Sequence, residues 1–329
     1  MTYPWQHMQW SRVQQRLDAG TLPHALLLTG PSGLGKLEFA RALAKRVLCG
    51  RPSGEGACGE CRDCQLFEAG THPDMHWVAP EEEGKAIKVD QIRPLADFVG
   101  LTRHRGEHKV AVIAPADAMN PNAANSLLKT LEEPTPGTIL ILVSARPGYL
   151  PATVRSRCQT LEFSTPPRGQ ALEWLKSRGI AADMLETVLA IGQGAPLRAL
   201  ELGSPERLEL RQRFLTDLLA LAGGELGAVE AAERWKGEDI EALIEWQLNW
   251  IQDVIRIAVT ARVELARDPA AGRGLHALAE SIDLNALFEC HDALIEHRRL
   301  LVAPLNAQLR LEDSLLLWAA LGAVRPRAA

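Results

Sequence analysis

Long hydrophobic runs are missing from this chain of 329 residues. Nowhere do about 18 uncharged apolar residues follow one another, so no segment reads as a membrane-spanning helix. The opening stretch MTYPWQHMQW lacks the charged-then-apolar order of a secretory signal, and the expectation is a soluble, cytoplasmic protein with no membrane partner. Positive charge is also in deficit. With 36 Lys and Arg against 41 Asp and Glu, the net charge is −5, which argues against a broad nucleic-acid surface, because neutralising phosphates needs clustered cations. The densest basic stretch, TRHRGEHK with Arg103, Arg105 and Lys109, reads as a short solvated loop before a strand. Internal repeats and low-complexity segments are absent, and no convincing strand pattern occurs beyond about residue 166.

What is present exceeds the size at which one hydrophobic core stops growing, so two or three domains are expected. Residues 24–29, HALLLT, form a short apolar run entering GPSGLGK, and LEFARALAKRVL then places Phe39, Leu43 and Val47 at helical spacing. Strand, glycine loop and helix in that order are the context of a phosphate-binding loop, whose amides and lysine cradle phosphates. Gly30, Gly33, Gly35 and Lys36 are its candidate nucleotide-binding residues. Position 37, where a hydroxyl would hold magnesium, is Leu37. Further strands are expected at 109–114 (KVAVIA) and 138–143 (TILILV), with a helix in NPNAANSLLKTLEEP stopped by Pro134. Alternating strands and helices imply an α/β fold with a parallel sheet covered on both faces. Downstream, helices are expected in PPRGQALEWL, AADMLETVLAIGQG and APLRALEL, and then at 206–222, 238–267 and 283–321, separated by glycine-rich breaks.

Cys49, Cys58, Cys61 and Cys64 follow C-x8-C-x2-C-x2-C. Paired x2 spacings bring thiolates onto one ion, and four sulfurs close a tetrahedral structural zinc site. An iron–sulfur cluster is the competing occupant, although the ferredoxin-type run with a trailing Cys-Pro is absent. Cys158 and Cys290 stand alone and read as small buried hydrophobes.

The near-miss phosphate loop, the four-cysteine insertion after its helix, NSLLKTLEEP and LPATVRSRCQTLEF together resemble bacterial clamp-loader subunits of the AAA+ class, over the whole chain. The resemblance implies an AAA+ P-loop core over 1–165 with the zinc-binding insertion at 49–64. It further implies a small helical lid over 166–204 and an all-α collar over 205–329 that packs in a ring of five subunits. The implied partners are gamma/tau-like motor subunits and a delta-like subunit in a hetero-pentamer, the sliding clamp only indirectly or weakly, and primer–template DNA within the complex.

Within that family the chain is similar to the kind that does not hydrolyse ATP. In motor subunits the strand equivalent to KVAVIA runs into an acidic pair that holds magnesium, whereas here Ala114 and Pro115 follow Ile113. With Leu37, both protein ligands for the metal are missing. Lys36 and the loop backbone remain, so the loop either binds nucleotide weakly or survives because the turn needs its glycines. By resemblance, Arg157 in SRC is a trans-acting arginine finger for a neighbouring ATP site, with Arg155 close by. A guanidinium suits that task because it is planar and permanently charged; the plainer alternative is a pair with a local carboxylate. Arg198 in GAPLRAL matches a lid-domain sensor arginine, or else lies on a solvated helix face, and Ser144 falls where a polar sensor residue is expected. Leu305, Leu309, Leu316 and Leu317 read as an apolar surface of the C-terminal domain. Two rival readings are a working ATPase motor that uses waters and Asp117 around magnesium, and a zinc-dependent DNA-binding module at 49–64. The second faces the lack of net positive charge in that segment.

Overall fold

The computed structural model describes residues 2–54, 56–82, 84–268, 271–300 and 306–323. The chain divides into two compact units, Met1–Ala171 and Leu172–Ala329.

The first unit contains α1 (His7–Asp18), β1 (Ala25–Thr29), α2 (Lys36–Leu48), α3 (Arg62–Glu68), β2 (Met75–Val78), α4 (Val89–Gly100), β3 (Lys109–Ile113), α5 (Pro121–Glu132), β4 (Thr138–Ser144), α6 (Ala152–Arg155) and β5 (Gln159–Glu162). The sheet order is β2-β3-β4-β1-β5, with every pairing parallel. Leu27 pairs with Leu142 on one side and Thr160 on the other, while Val112 pairs with Ile141. Every residue of β1, β3 and β4 is buried, the reason these strands are almost unbroken apolar runs. One core under the sheet gathers Leu27, Ile113 and Leu142 with Ile92 and Leu95 of α4 and Leu127 and Leu131 of α5.

All three expected strands are present. The sheet gains two more at its edges, β2 and β5, four residues each. Their sequences MHWV and QTLE are short and half polar; in β5 only Leu161 is buried, so little apolar periodicity betrays them. The helix expected in NPNAANSLLKTLEEP forms as α5, begun by the Asn120 side chain accepting from the Ala123 amide at 2.8 Å with Pro121 in the first turn. The basic stretch before β3 is not simply solvated. Lys109 is 2% exposed and donates to the carbonyls of Phe98 and Leu101, while Arg105 pairs with Asp63.

Helix α7 (Arg168–Ser177) crosses the boundary between units. The second unit continues with α8 (Leu185–Ile191), α9 (Pro196–Leu202), α10 (Pro205–Ala222), α11 (Ala228–Trp235), α12 (Ile240–Thr260), α13 (Gly272–Ser281), α14 (Leu284–Leu300) and α15 (Ala307–Ala323). Among the described residues no strand follows Glu162. The core gathers Phe214, Trp235, Trp246, Trp250 and Trp318 with leucines from five helices, α10 and α12 to α15.

Two expected helices are corrected. The one expected over 283–321 is instead α14 and α15, with Asn306 outside both. The helix expected over 238–267 ends at Thr260, where Ala261 turns into the left-handed region with φ 54°. Of the C-terminal leucines read as an apolar surface, Leu309 and Leu316 are 61% and 52% exposed and lie outside the domain core, which takes Leu311, Leu315, Trp318 and Leu321 instead. The i, i+4, i+7 set from Leu311 faces the core, and only Leu317 of the expected residues packs against it. Leu305 lies outside the described residues.

Candidate functional site

β1 delivers the chain into the glycine loop, and α2 begins at Lys36. Gly30, Gly33 and Gly35 all have positive φ. A Cβ on Gly30 would lie 2.1 Å from the carbonyl oxygen of Phe163, and one on Gly35 would lie 2.4 Å from the Tyr3 ring. These two glycines are therefore required by the turn itself, whatever the loop binds. Among the described residues, no hydrogen bond engages the amides of Ser32 through Leu37, the donors a phosphate would use. Lys36 is buried and folds back, donating to the carbonyls of Gly30 and Pro31 at 2.6 Å each. Burial pulls its ammonium down from 10.5 to about 8, opposed by the nearby carboxylates of Asp117 and Glu38. Leu37 is 46% exposed and offers no oxygen.

The loop is braced by residues that sequence reasoning missed. Gln6, fully buried, donates to the carbonyls of Leu34 and Gly35 at 2.8 and 2.7 Å, and Trp5 Nε1 donates to Leu34 at 3.0 Å. The contact joins residues 28 and 29 positions apart, so no local pattern could reveal it.

At the end of β3, Ala114 and the cis-linked Pro115 stand where a motor would place its acidic pair. Asp117 follows, but both its oxygens are engaged. Oδ1 accepts from the Ala145 amide and Oδ2 from Arg146 Nε, each at 3.2 Å. Ser144 is fully buried and its Oγ accepts from the Arg146 amide at 3.1 Å. The residues beyond β4 thus take up the Asp117 carboxylate and the candidate sensor hydroxyl.

Arg157 sits in the turn between α6 and β5. Its Nη2 lies 2.5 Å from Glu132 Oε1, and its Nη1 donates to the Thr153 carbonyl at 2.9 Å. The partner comes from the LLKTLEEP helix, so the two most specific stretches of the sequence meet in one ion pair. Arg155 is exposed and pairs with no carboxylate among the described residues. Arg198, on α9, pairs with Glu245 of α12.

The four cysteines converge in one cluster. Their sulfurs all lie within 4.8 Å of one another, with Cys49–Cys58 at 3.6 Å, Cys49–Cys61 at 3.9 Å and Cys58–Cys64 at 4.0 Å. A tetrahedral zinc–sulfur site, with bonds of about 2.3 Å, has sulfur–sulfur edges of about 3.8 Å, so the arrangement fits. None of the four is in a disulfide. Amides turn toward the sulfurs: Cys58 N to Cys49 at 3.3 Å, Cys61 N to Cys58 at 3.3 Å and Cys64 N to Cys61 at 3.4 Å. Burial alone would raise the Cys61 thiol, but the amides of Cys64 and Gly50 bring it down to about 6, while burial pushes Cys64 up to about 12. Cys290 is buried as expected, and Cys158 is half-buried against the first core.

Parallel order 2-3-4-1-5 with a glycine loop between β1 and α2 makes the first unit an α/β core of the P-loop kind. Residues 5–167 match the family model described as DNA polymerase III, delta subunit, and residues 205–320 match the model for that subunit's C-terminal part. The chain is similar to DNA polymerase III subunit delta' of Pseudomonas aeruginosa, 38% identical over 324 residues, covering 97% of this chain and 98% of that protein. It is 32% identical to the subunit delta' of Haemophilus influenzae, covering 95% of each chain. The subunit delta' of Escherichia coli is 32% identical over 256 residues, covering 77% of this chain and 76% of that protein. A solved gamma subunit-related protein of Thermotoga maritima aligns at 18% identity and a TM-score of 0.46, over 95% of this chain and 99% of that one. The chain belongs to the delta' subunits of DNA polymerase III.

Proposed function

We propose that this chain acts as a non-hydrolysing clamp-loader subunit that braces neighbouring motor subunits and lends one of them Arg157. The observation that carries the reading is the loss of both metal-holding positions, Leu37 and Ala114, beside an arginine in the family's finger motif. Asp117 does not restore the rival motor reading, because its oxygens are already held by Ala145 and Arg146. The Arg157–Glu132 pair does not oppose the finger role. A half-exposed pair of this kind is worth at most about 1 kcal/mol, whereas an arginine finger contributes roughly 10³ to 10⁵ in rate, or about 4 to 7 kcal/mol. Glu132 parks the guanidinium, and a γ-phosphate outcompetes it.

The segment 166–204 is read as the lid and 205–329 as the collar of a hetero-pentamer with gamma/tau-like and delta-like partners. Loading of the sliding clamp on primer–template DNA then happens in the complex, in the cytoplasm. No helix among the described residues is long and apolar enough to cross a membrane. Arg198, held by Glu245, serves to fix α9 to α12 rather than to sense nucleotide. Zinc on Cys49, Cys58, Cys61 and Cys64 supplies folding energy and no chemistry, since four protein ligands leave no open position.

The test of the first half is ATP hydrolysis by the purified chain with magnesium, beside Lys36→Ala. Background turnover in both is expected; turnover that depends on Lys36 would make the subunit a motor.

A further inference from the structure

One groove of the second unit is left unused by this reading. It has a volume of about 440 Å³ and lies between the C-terminal half of α12, α14 and the turn after Ala261. Its apolar part is Ile255, Val259 and Phe288, the last two 60% and 46% exposed. Its polar part is Gln252, Thr260, Arg256, Arg267 and His291, and no carboxylate lines it. That is an anomaly in a chain carrying an excess of acid.

The cations are held in place rather than scattered. Asp253, 1% exposed, has both oxygens engaged: Oδ1 holds Arg256 Nη1 at 2.5 Å, and Oδ2 accepts the amides of Arg267 and Asp268 at 3.0 and 3.2 Å. One buried carboxylate thus fixes the first arginine by its side chain and the second by its backbone. The Arg267 guanidinium itself pairs with no carboxylate among the described residues. The His291 ring lies 3.3 Å from the Gln252 amide through Nε2 and 3.2 Å from Asp292 through Nδ1.

We infer that this groove binds a short peptide segment of a partner protein in which an acidic side chain flanks a bulky aliphatic or aromatic one. The apolar residue covers Val259 and Phe288, and the carboxylate pairs with Arg267, supported by Arg256 and His291. A volume of about 440 Å³ accommodates one or two side chains. Charge selects the occupant. A wholly acidic protein would be repelled by a chain of net charge −5, so a local acidic segment fits better. Nucleic acid fits less well, because one unpaired guanidinium gives little phosphate neutralisation and a phosphate backbone leaves the apolar part uncovered.

The inference uses none of the residues invoked for hydrolysis or the finger, so its failure and theirs are separable. The test is a random-heptapeptide display selection on the immobilised full-length chain. Selected peptides, made synthetically with a fluorescent label, are then titrated by anisotropy against the wild type, Arg267→Glu and Phe288→Ser. Expected are peptides with an acidic residue beside a large apolar one, and a tenfold or greater loss of affinity with either substitution. Thermal melts check that the variants fold, and Arg267→Gln replaces Arg267→Glu if charge reversal does not. Failure to select peptides of that pattern, or affinity unmoved by both substitutions, overturns the inference. So does a labelled single-stranded oligonucleotide that binds the wild type and is released by Arg267→Glu, which would assign the groove to nucleic acid.

Discussion

At the scale of single residues, Lys36 turns inward on its own loop. Its ammonium serves two loop carbonyls of its own chain and is shifted by burial to about 8. The unfolded chain keeps the Lys36 proton up to about 10.5, so between about pH 8 and 10.5 the unfolded state binds more protons than the folded one. Stability contributed by this site therefore rises with pH across that window. The denaturant-unfolding free energy of the wild type minus that of Lys36→Met is expected to increase between pH 7.5 and 9.5; a constant difference would place the lysine in solvent. Gly35 gives a second residue-scale expectation. Gly35→Ala forces a side chain at φ 78° against the Tyr3 ring, and should cost about 1–3 kcal/mol in the same assay.

At the scale of elements, the C-terminal helix separates what a leucine count can say from what packing decides. α15 presents Leu311, Leu315 and Trp318 to the core while Leu316 is half exposed. Leu315→Ala should destabilise by about 2–5 kcal/mol and Leu316→Ala by less than about 0.5 kcal/mol, read from urea midpoints. The cysteine insertion is an element of another kind. Its four sulfurs come from the end of α2, an irregular stretch and α3, and Asp63 of α3 reaches on to Arg105 and to His72 at 3.6 Å. Removing zinc should release that whole corner. Metal analysis is expected to give one zinc per chain, and chelation or Cys61→Ser to lower the melting temperature by several degrees. An unchanged melt would mean that the cluster carries no structural ion.

At the scale of the whole molecule, the finger reading concerns an assembly. Arg157→Ala in a reconstituted loader should lower turnover at the site it serves by roughly 10³-fold or more while leaving assembly intact. Glu132→Gln should leave turnover unchanged or slightly raised, since it removes only the resting partner of the guanidinium. If Glu132→Gln instead matches Arg157→Ala, the ion pair is structural and the finger reading fails. Size-exclusion profiles of both loaders check that neither variant has lost its place in the ring.

Local pattern alone determined a great deal here. The central strands are fully buried and so read as apolar runs, the glycine loop announces itself by spacing, and closely spaced cysteines have few other uses in a chain of this kind. Leu37 and Ala114 stand out in the sequence because the metal ligands of a phosphate loop are fixed by position in a motif. Tertiary structure alone decided the rest. The edge strands β2 and β5 are too short and polar to signal themselves, and pairing with a neighbour is what makes them strands. Gln6 on the phosphate loop, Asp117 held by Arg146, Arg157 parked on Glu132 and Arg198 tied to Glu245 all join residues distant in sequence. A side chain's partner is set by where the backbone carries it, and periodicity records only which face of an element it occupies.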